Sequence, residues 1–511
     1  MANCASVCAS TTVHAGDSII FRGGDTWHFG NGSASPYAGG QTWNFTATGS
    51  SGSPIYLGVD QTWYSGSSWA RPVLNGDNPL FNGTSFPSSC TYNFGSNSIW
   101  QSSNYVTFDN FEITGICTNY SGSGNPGALS PGSYNTVSNV YYHGWTITAS
   151  SNNLYGAGTY SGSGTQITWT HDIFDGSDAP HWSAGNANCS YDTTMPCTTG
   201  AGIYDRAYIL DHCVFRYLAN MAVTVDTVSA HDNLFEYLEW PPSTAAVNAQ
   251  HPDALMVVES GTTVNFYNNV ARHVYVTQMF YFNVSSGSTL YIFNNVFYDN
   301  LRYDTTGDTA PDNCINLAAH TSGSNEIIYL YNNTFDQDTD DSTGGGCQIS
   351  LYGTSGGNSE GYDWGGPIYA ANNHLIGSSN LASIFNSRGS GVSYTLNDNG
   401  GNLPQATATA RSQGYVQSTS PVGDGPTSGS GSTVGTGTNA TSNCATFSSD
   451  SALCSGTSGG PSVLSGIMTF PAVQIVNRPP TGAWDAGAFD FGSGSVSGTP
   501  AAPMGLTATL Q

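Results

Sequence analysis

The sequence predicts an all-β solenoid, and three observations lead to that class. Helix signals are nearly absent. Short β-branched and aromatic runs are punctuated instead by Gly, Ser and Asn, with 63 glycines and 12% aromatic residues among 511. A short stencil also recurs seven times: WTHDIFDG, ILDHCVFRYL, SAHDNLFEYL, VNFYNNVARH, LYIFNNVFYDN, IIYLYNNTFDQ and IYAANNHLIG. Finally, its copies lie 20 to 41 residues apart, so a fixed unit carries insertions of variable length. Loops leaving a stacked repeat from set corners produce that spacing.

Each stencil position has a predicted task. The second reads His171, His212, Asp232, Asn268, Asn294, Asn332, Asn372, and the third Asp172, Cys213, Asn233, Asn269, Asn295, Asn333, Asn373. A two-residue bend between strands needs one residue in the left-handed region, which Asn tolerates better than other non-Gly residues. Stacking at about 4.8 Å per coil then lets the Asn side chains form a hydrogen-bonded ladder. Two positions later stand Phe174, Phe215, Phe235, Ala271, Phe297, Phe335 and Leu375, predicted to stack inside. The next column, Asp175, Arg216, Glu236, Arg272, Tyr298, Asp336, alternates in sign at first and predicts an outward salt-bridge ladder.

Composition excludes several function classes. The formal charge is −25, with nine arginines and no lysine. Phosphate binding needs clustered basic side chains, so nucleic acid and anionic membrane are not expected partners. No apolar run reaches the length of a membrane span, so membrane insertion is not expected either. Eleven cysteines suggest an exported chain. Proximity and repeat register suggest Cys4–Cys8, Cys90–Cys117, Cys189–Cys197, Cys314–Cys347 and Cys444–Cys454, with Cys213 left over; free buried thiols are the alternative. The start, MANCASVCAS, lacks a basic-then-apolar leader, and Met1 reads as an initiator before a mature secreted chain.

Asn at a tight bend between two strands, with aromatics inside, resembles the right-handed parallel β-helix of the pectate-lyase-like superfamily. HAGDSIIFRGGDTW and RPPTGAWDAGAFDF are similar to the first and last coils of secreted β-helix-repeat proteins. On this reading residues 1–492 are one β-helix, with 417–460 as a low-complexity surface loop. Residues 493–511 resemble a linker toward a truncated fibronectin-III-like module, an appended C-terminal part of a longer protein.

The resemblance implies that the strand after the Phe-bearing one lines a substrate groove. Its copies are MAVTVD, ALMVVE, MFYFN, INLAAH and QISLY. At their leading edge stand His251, Asp253, Gln278 and Asp312. Asp253 and Asp312 would lie two coils apart, near 10 Å at the backbone by the strand spacing. That approaches the separation that leaves room for a water in an inverting glycosidase. At the trailing edge Asp226 and Glu259 would share a column on adjacent coils, about 5 Å apart as in retaining enzymes. The same acids can instead cap loops or hold a cation. HPDAL resembles the Asp-bearing segment of several β-helix hydrolases and lyases, with His251 placed to orient Asp253.

Other candidates are looser. Asp336, Asp338 and Asp340 alternate in FDQDTDDSTGGG and could wrap Ca²⁺, although the glycine and glutamate of an EF-hand are missing. Trp63, Tyr64, Trp69, Trp182, Trp240 and Trp364 fall in loop-like stretches, where flat rings stack on sugar faces. Without lysine, a lysine-base lyase is excluded; Arg206 and Arg302 remain as arginine bases. The paired Asp-Asp and basic uronate motif of polygalacturonases are not matched. The expectation is therefore a secreted glycoside hydrolase acting on a neutral or weakly charged polysaccharide. A Ca²⁺-dependent polysaccharide lyase and a non-catalytic extracellular scaffold are the alternatives.

Overall fold

The computed structural model describes residues 13–30, 43–79, 90–92, 94, 99–118, 128–147, 159–160, 164–176, 203–204, 208–216, 218, 223–224, 229–239, 253–258, 263–275, 278–301, 313–323, 325–337, 347–354, 362–416, 425–457 and 475–491. Its strands form three long parallel sheets of 12, 12 and 11 strands. One coil illustrates the pattern. Thr263–Tyr267 lies in the first sheet, Val270–Tyr275 in the second and Gln278–Val284 in the third. The next coil starts at Thr289–Phe293, which pairs in parallel with Thr263–Tyr267. This is the parallel β-helix that the stencil predicts.

The bend positions behave as their residue types require. All seven second-position residues, from His171 to Asn372, have φ between 54° and 59°. The third position turns inward and builds the ladder. Asn233 Nδ2 donates to Asn269 Oδ1 at 2.9 Å, Asn269 to Asn295 at 3.0 Å and Asn295 to Asn333 at 3.0 Å. Asn333 then donates to Asn373 at 3.0 Å and Asn373 to Asn402 at 2.8 Å. Two earlier bends, at Asn110 and Asn139, share the left-handed backbone. They escape the stencil because Phe111 and Val140 follow them.

Phe174–Phe215, Phe215–Phe235 and Phe297–Phe335 stack with ring centroids 5.0, 5.3 and 4.9 Å apart. Ala271 interrupts the column. Phe280 of the third sheet fills the gap, edge-on to Phe235 at 5.3 Å and to Phe297 at 5.7 Å.

The charged column pairs as its signs suggest but is not a solvent-facing ladder. Arg216 Nη2 donates to Asp175 Oδ2 at 2.6 Å, and Arg272 Nη2 to Glu236 Oε2 at 2.8 Å. Asp175, Glu236, Arg272 and Asp336 are nevertheless buried. Neighbouring outer positions Val214, Leu234, Val270, Val296 and Tyr298 join a cluster with Ala410, Tyr415, Ala488 and Phe489. Residues from the C-terminal part of the chain thus pack against this face.

Residues 425–457, within the stretch expected to be a surface loop, are folded. They contain the short helix Cys444–Phe447, whose Phe447 packs on Tyr291, Tyr329 and Tyr331. Asn372 Nδ2 donates to Thr438 O at 2.8 Å, and Asn294 Nδ2 to Ala452 O and Ser455 O. The closing segment brings in Arg478, buried over the Trp484 ring and 3.6 Å from Asp490. Disulfides Cys90–Cys117, Cys314–Cys347 and Cys444–Cys454 form as expected, and Cys213 is free and buried. Cys4, Cys8, Cys189 and Cys197 lie outside the described residues.

Candidate functional site

The third sheet contains all five predicted groove strands in order, beginning with Val223–Thr224, which pairs with Asp253–Val258. Asp253–Val258, Gln278–Val284, Asn313–Ala319 and Gln348–Tyr352 are successive neighbours, followed by Phe385–Arg388. Alternation divides their residues. Leu255, Phe280, Ile315 and Ile349 enter the main core, as do Val257, Phe282, Leu317 and Leu351. The residues between them face away from it.

One outward row runs Met256, Tyr281, Asn316, Ser350, Asn386 across five registered strands. A second contains Asn283 beside Ala318, and Tyr352 beside Arg388. The centre of this face is buried, while Met256, Asn386 and Arg388 at its ends are half-buried. Tyr281 and Tyr352 meet edge to face at 6.4 Å and cluster with Ala318. Arg388 Nη1 donates to the Tyr352 hydroxyl at 3.0 Å, and its guanidinium lies 5.6 Å from that ring's centroid.

Asn316 is the anomaly of this face. It is fully buried, yet neither its amide nitrogen nor its oxygen has a hydrogen-bond partner; Asn283 Oδ1 is likewise unpartnered. A buried amide without partners loses about 1–3 kcal/mol per group. Two such side chains lie buried beside two tyrosines and an arginine, and their unmet polar valence is of the kind that a hydroxyl-rich ligand satisfies.

The expected leading edge is present in the backbone. Asp253 and Gln278 open adjacent strands and pair directly, and Asn313 and Gln348 open the next two. Asp253 therefore starts a strand two steps from the one beginning at Asn313, immediately after Asp312. The side chains of Asp253 and Gln278, and the whole of Asp312, Glu259, Asp226, His251, Arg206, Trp182 and Trp240, lie outside the described residues.

The acidic loop is described only at Asp336. Arg411 Nη1 donates to its carboxylate at 2.6 Å, so a guanidinium occupies the position a calcium ion would need on that oxygen. Asp336 is thus part of the outer-face packing, and no Ca²⁺ chemistry is built on it; Asp338 and Asp340 lie outside the described residues. Among the loop aromatics, Trp63 is exposed, but Trp364 is wholly buried in the main core. Tyr64 and Trp69 pack edge to face at 5.4 Å.

Sequence reasoning found the strands of this face and missed its side chains. Tyr281, Asn283, Asn316, Ser350, Tyr352 and Arg388 were legible as alternate residues of strands already identified.

No protein-family profile and no curated protein sequence matches the chain. Among solved structures, it is similar to the pectate lyase Pel9A at 16% identity, covering 95% of this chain and 90% of that one, with a TM-score of 0.35. The GH136 lacto-N-biosidase from Eubacterium ramulus is 10% identical over 78% of this chain and 64% of that one, TM-score 0.34. An Acinetobacter phage tailspike is 12% identical over 71% and 57%, TM-score 0.29. The fold assignment rests on the three sheets and the ladder. The three disulfides among the described residues suit an oxidising compartment. No helix among the described residues is long and apolar enough to cross a membrane.

Proposed function

We propose that this chain is an extracellular carbohydrate-active enzyme that binds a neutral or weakly charged polysaccharide along the outer face of the third sheet. The observation that carries this reading is the buried Asn316 amide, unpartnered beside Tyr281 and Ser350. Sugar hydroxyls both donate and accept, so they satisfy either end of an amide. The apolar faces of sugar rings suit the tyrosines.

The proposed reaction is glycoside hydrolysis. Asp253 works with one carboxylate among Asp312, Glu259 and Asp226, while His251 orients Asp253. One carboxylic acid protonates the glycosidic oxygen as the C–O bond breaks. The other carboxylate takes a proton from the water that forms the new bond to the anomeric carbon. Gln278, paired with Asp253 along the backbone, is proposed to bind the sugar being cleaved. Arg206, Trp182 and Trp240 are proposed to bind neighbouring sugars.

The test is product release from a panel of plant, algal and microbial polysaccharides, with and without EDTA. Reducing ends and ultraviolet absorbance are followed together. Hydrolysis predicts new reducing ends without absorbance, insensitive to chelator and abolished in Asp253→Asn. Chelator-sensitive absorbance would replace this reading with a lyase. Glycan binding without turnover would replace it with a scaffold.

A further inference from the structure

The bend between the first and second sheets carries three histidines and two aspartates on three successive coils: His171, then Asp211 and His212, then His231 and Asp232. The bend itself does not require histidine. Asn occupies the same left-handed position at Asn110, Asn139, Asn268, Asn294, Asn332 and Asn372. Histidine on two adjacent coils, at φ 59° and 56°, departs from the chain's own rule. Such local departures gather at functional sites.

The side chains converge. Ligand atoms of His171, Asp211 and His212 lie within 4.8 Å of one another, and so do those of His212, His231 and Asp232. Ligand bonds of about 2.1 Å around one ion place donor atoms roughly 4 Å apart or less, so modest side-chain movement closes either set. The rings are already supported. His212 Nδ1 lies 3.1 Å from Asp211 Oδ2, and His231 Nδ1 lies 2.9 Å from Asp232 Oδ2. A carboxylate beside one ring nitrogen is the usual support of a histidine ligand. His171 and His212 stack in parallel with centroids 4.6 Å apart, so one ring must turn before both lone pairs reach one ion. Solvent reaches the cluster: the side chains of Asp211 and His212 are 19% and 33% exposed.

We propose that this cluster binds one divalent transition-metal ion, with His212 as the shared ligand. Mixed imidazole and carboxylate donors select Zn²⁺ or a neighbouring first-row ion over Ca²⁺, which takes oxygen ligands. The ion would clasp two adjacent coils on the outer side of the bend whose inner side carries the ladder. This site is independent of the proposed glycan-binding face.

Zn²⁺ titration of the tag-free full chain tests the proposal, by calorimetry and by thermal melting. One Zn²⁺ per chain is expected, with a melting temperature raised at pH 7.5 and less raised at pH 5, where imidazoles must lose protons to bind. His212→Asn is the informative variant, because Asn is the residue this bend position carries elsewhere. It should fold and lose at least tenfold in Zn²⁺ affinity. The double variant His171→Asn with His231→Gln should lose as much. No uptake by the parent chain, or uptake unchanged in either folded variant, overturns the site.

Discussion

Replacing Asn295 with alanine tests whether the ladder holds the coils together. Asn295 sits in its middle, and its Oδ1 accepts two bonds: from the Asn269 backbone N–H at 2.9 Å and from Asn269 Nδ2 at 3.0 Å. Its Nδ2 donates to Phe266 O at 2.9 Å and to Asn333 Oδ1 at 3.0 Å. Some partners keep a bond after truncation. Asn333 Oδ1 still accepts the Asn295 backbone N–H, and Asn269 Nδ2 still donates to Ala230 O. Two buried donors are left without an acceptor: the Asn269 backbone N–H and one proton of its amide. At about 1–3 kcal/mol each, the expected loss is about 2–6 kcal/mol. Guanidinium denaturation followed by circular dichroism reads the total. Hydrogen exchange of the coil at 263–275 reads the local opening. A loss below about 1 kcal/mol, with Asn269 still protected, would refute a hydrogen-bonded role for the ladder.

Three further outcomes are expected. Asp172 occupies a ladder position, its Oδ1 accepts from Val140 N at 2.8 Å, and burial pushes its carboxyl well above the usual range. Asp172→Asn should raise the melting temperature more at pH 8 than at pH 4, because the native aspartate must fold protonated. Fully buried Glu326 lacks a well-formed hydrogen bond, and burial raises its carboxyl to about 6 from 4.5. Its folded form holds the proton more tightly than its unfolded form, so stability falls as pH rises from about 4.5 through 6, by about 2 kcal/mol in all. Glu326→Gln should remove that slope and be the more stable protein at pH 8, as read by melts across pH. On the groove face, Asn316→Leu keeps the volume and removes the amide. It should weaken glycan binding about tenfold or more while leaving the melting temperature equal or higher, since no internal partner is lost; unchanged binding would count against the face.

The fold was legible because its signals are repetitive and local. A left-handed bend selects Asn, an inward position selects Phe, and seven copies average out the exceptions. The copies at Asn110 and Asn139 were lost where the ladder residue became Phe111 or Val140. Solvent exposure was less legible. Asp175, Arg216, Glu236 and Arg272 pair through their signs, but their burial depends on packing with residues far along the chain, which no local pattern encodes. The same holds for 425–457, where glycine-rich composition concealed the packing of Phe447 on Tyr291, Tyr329 and Tyr331. In the candidate site the strands were readable from their alternation, and Asp253 and Gln278 were correctly placed at strand starts. The orphaned Asn316 amide was not readable, because satisfaction of a polar group is a property of its surroundings.

The ladder has a direction. At every step Nδ2 points toward the following coil and Oδ1 toward the preceding one, from Asn233 to Asn402. Aligned amides polarise one another, so the stack has an electropositive end and an electronegative end. The chain treats those ends differently. Beyond Asn402, the last amide donates to the Asp398 carboxylate at 2.7 Å, a negative group at the positive terminus. At the other end Asn233 Oδ1 accepts from the Cys213 backbone N–H at 2.8 Å, a donor at the negative terminus. Coils of this protein are therefore not interchangeable modules. Lengthening or shortening the stack would move its poles and require a new acid at one end and a new donor at the other.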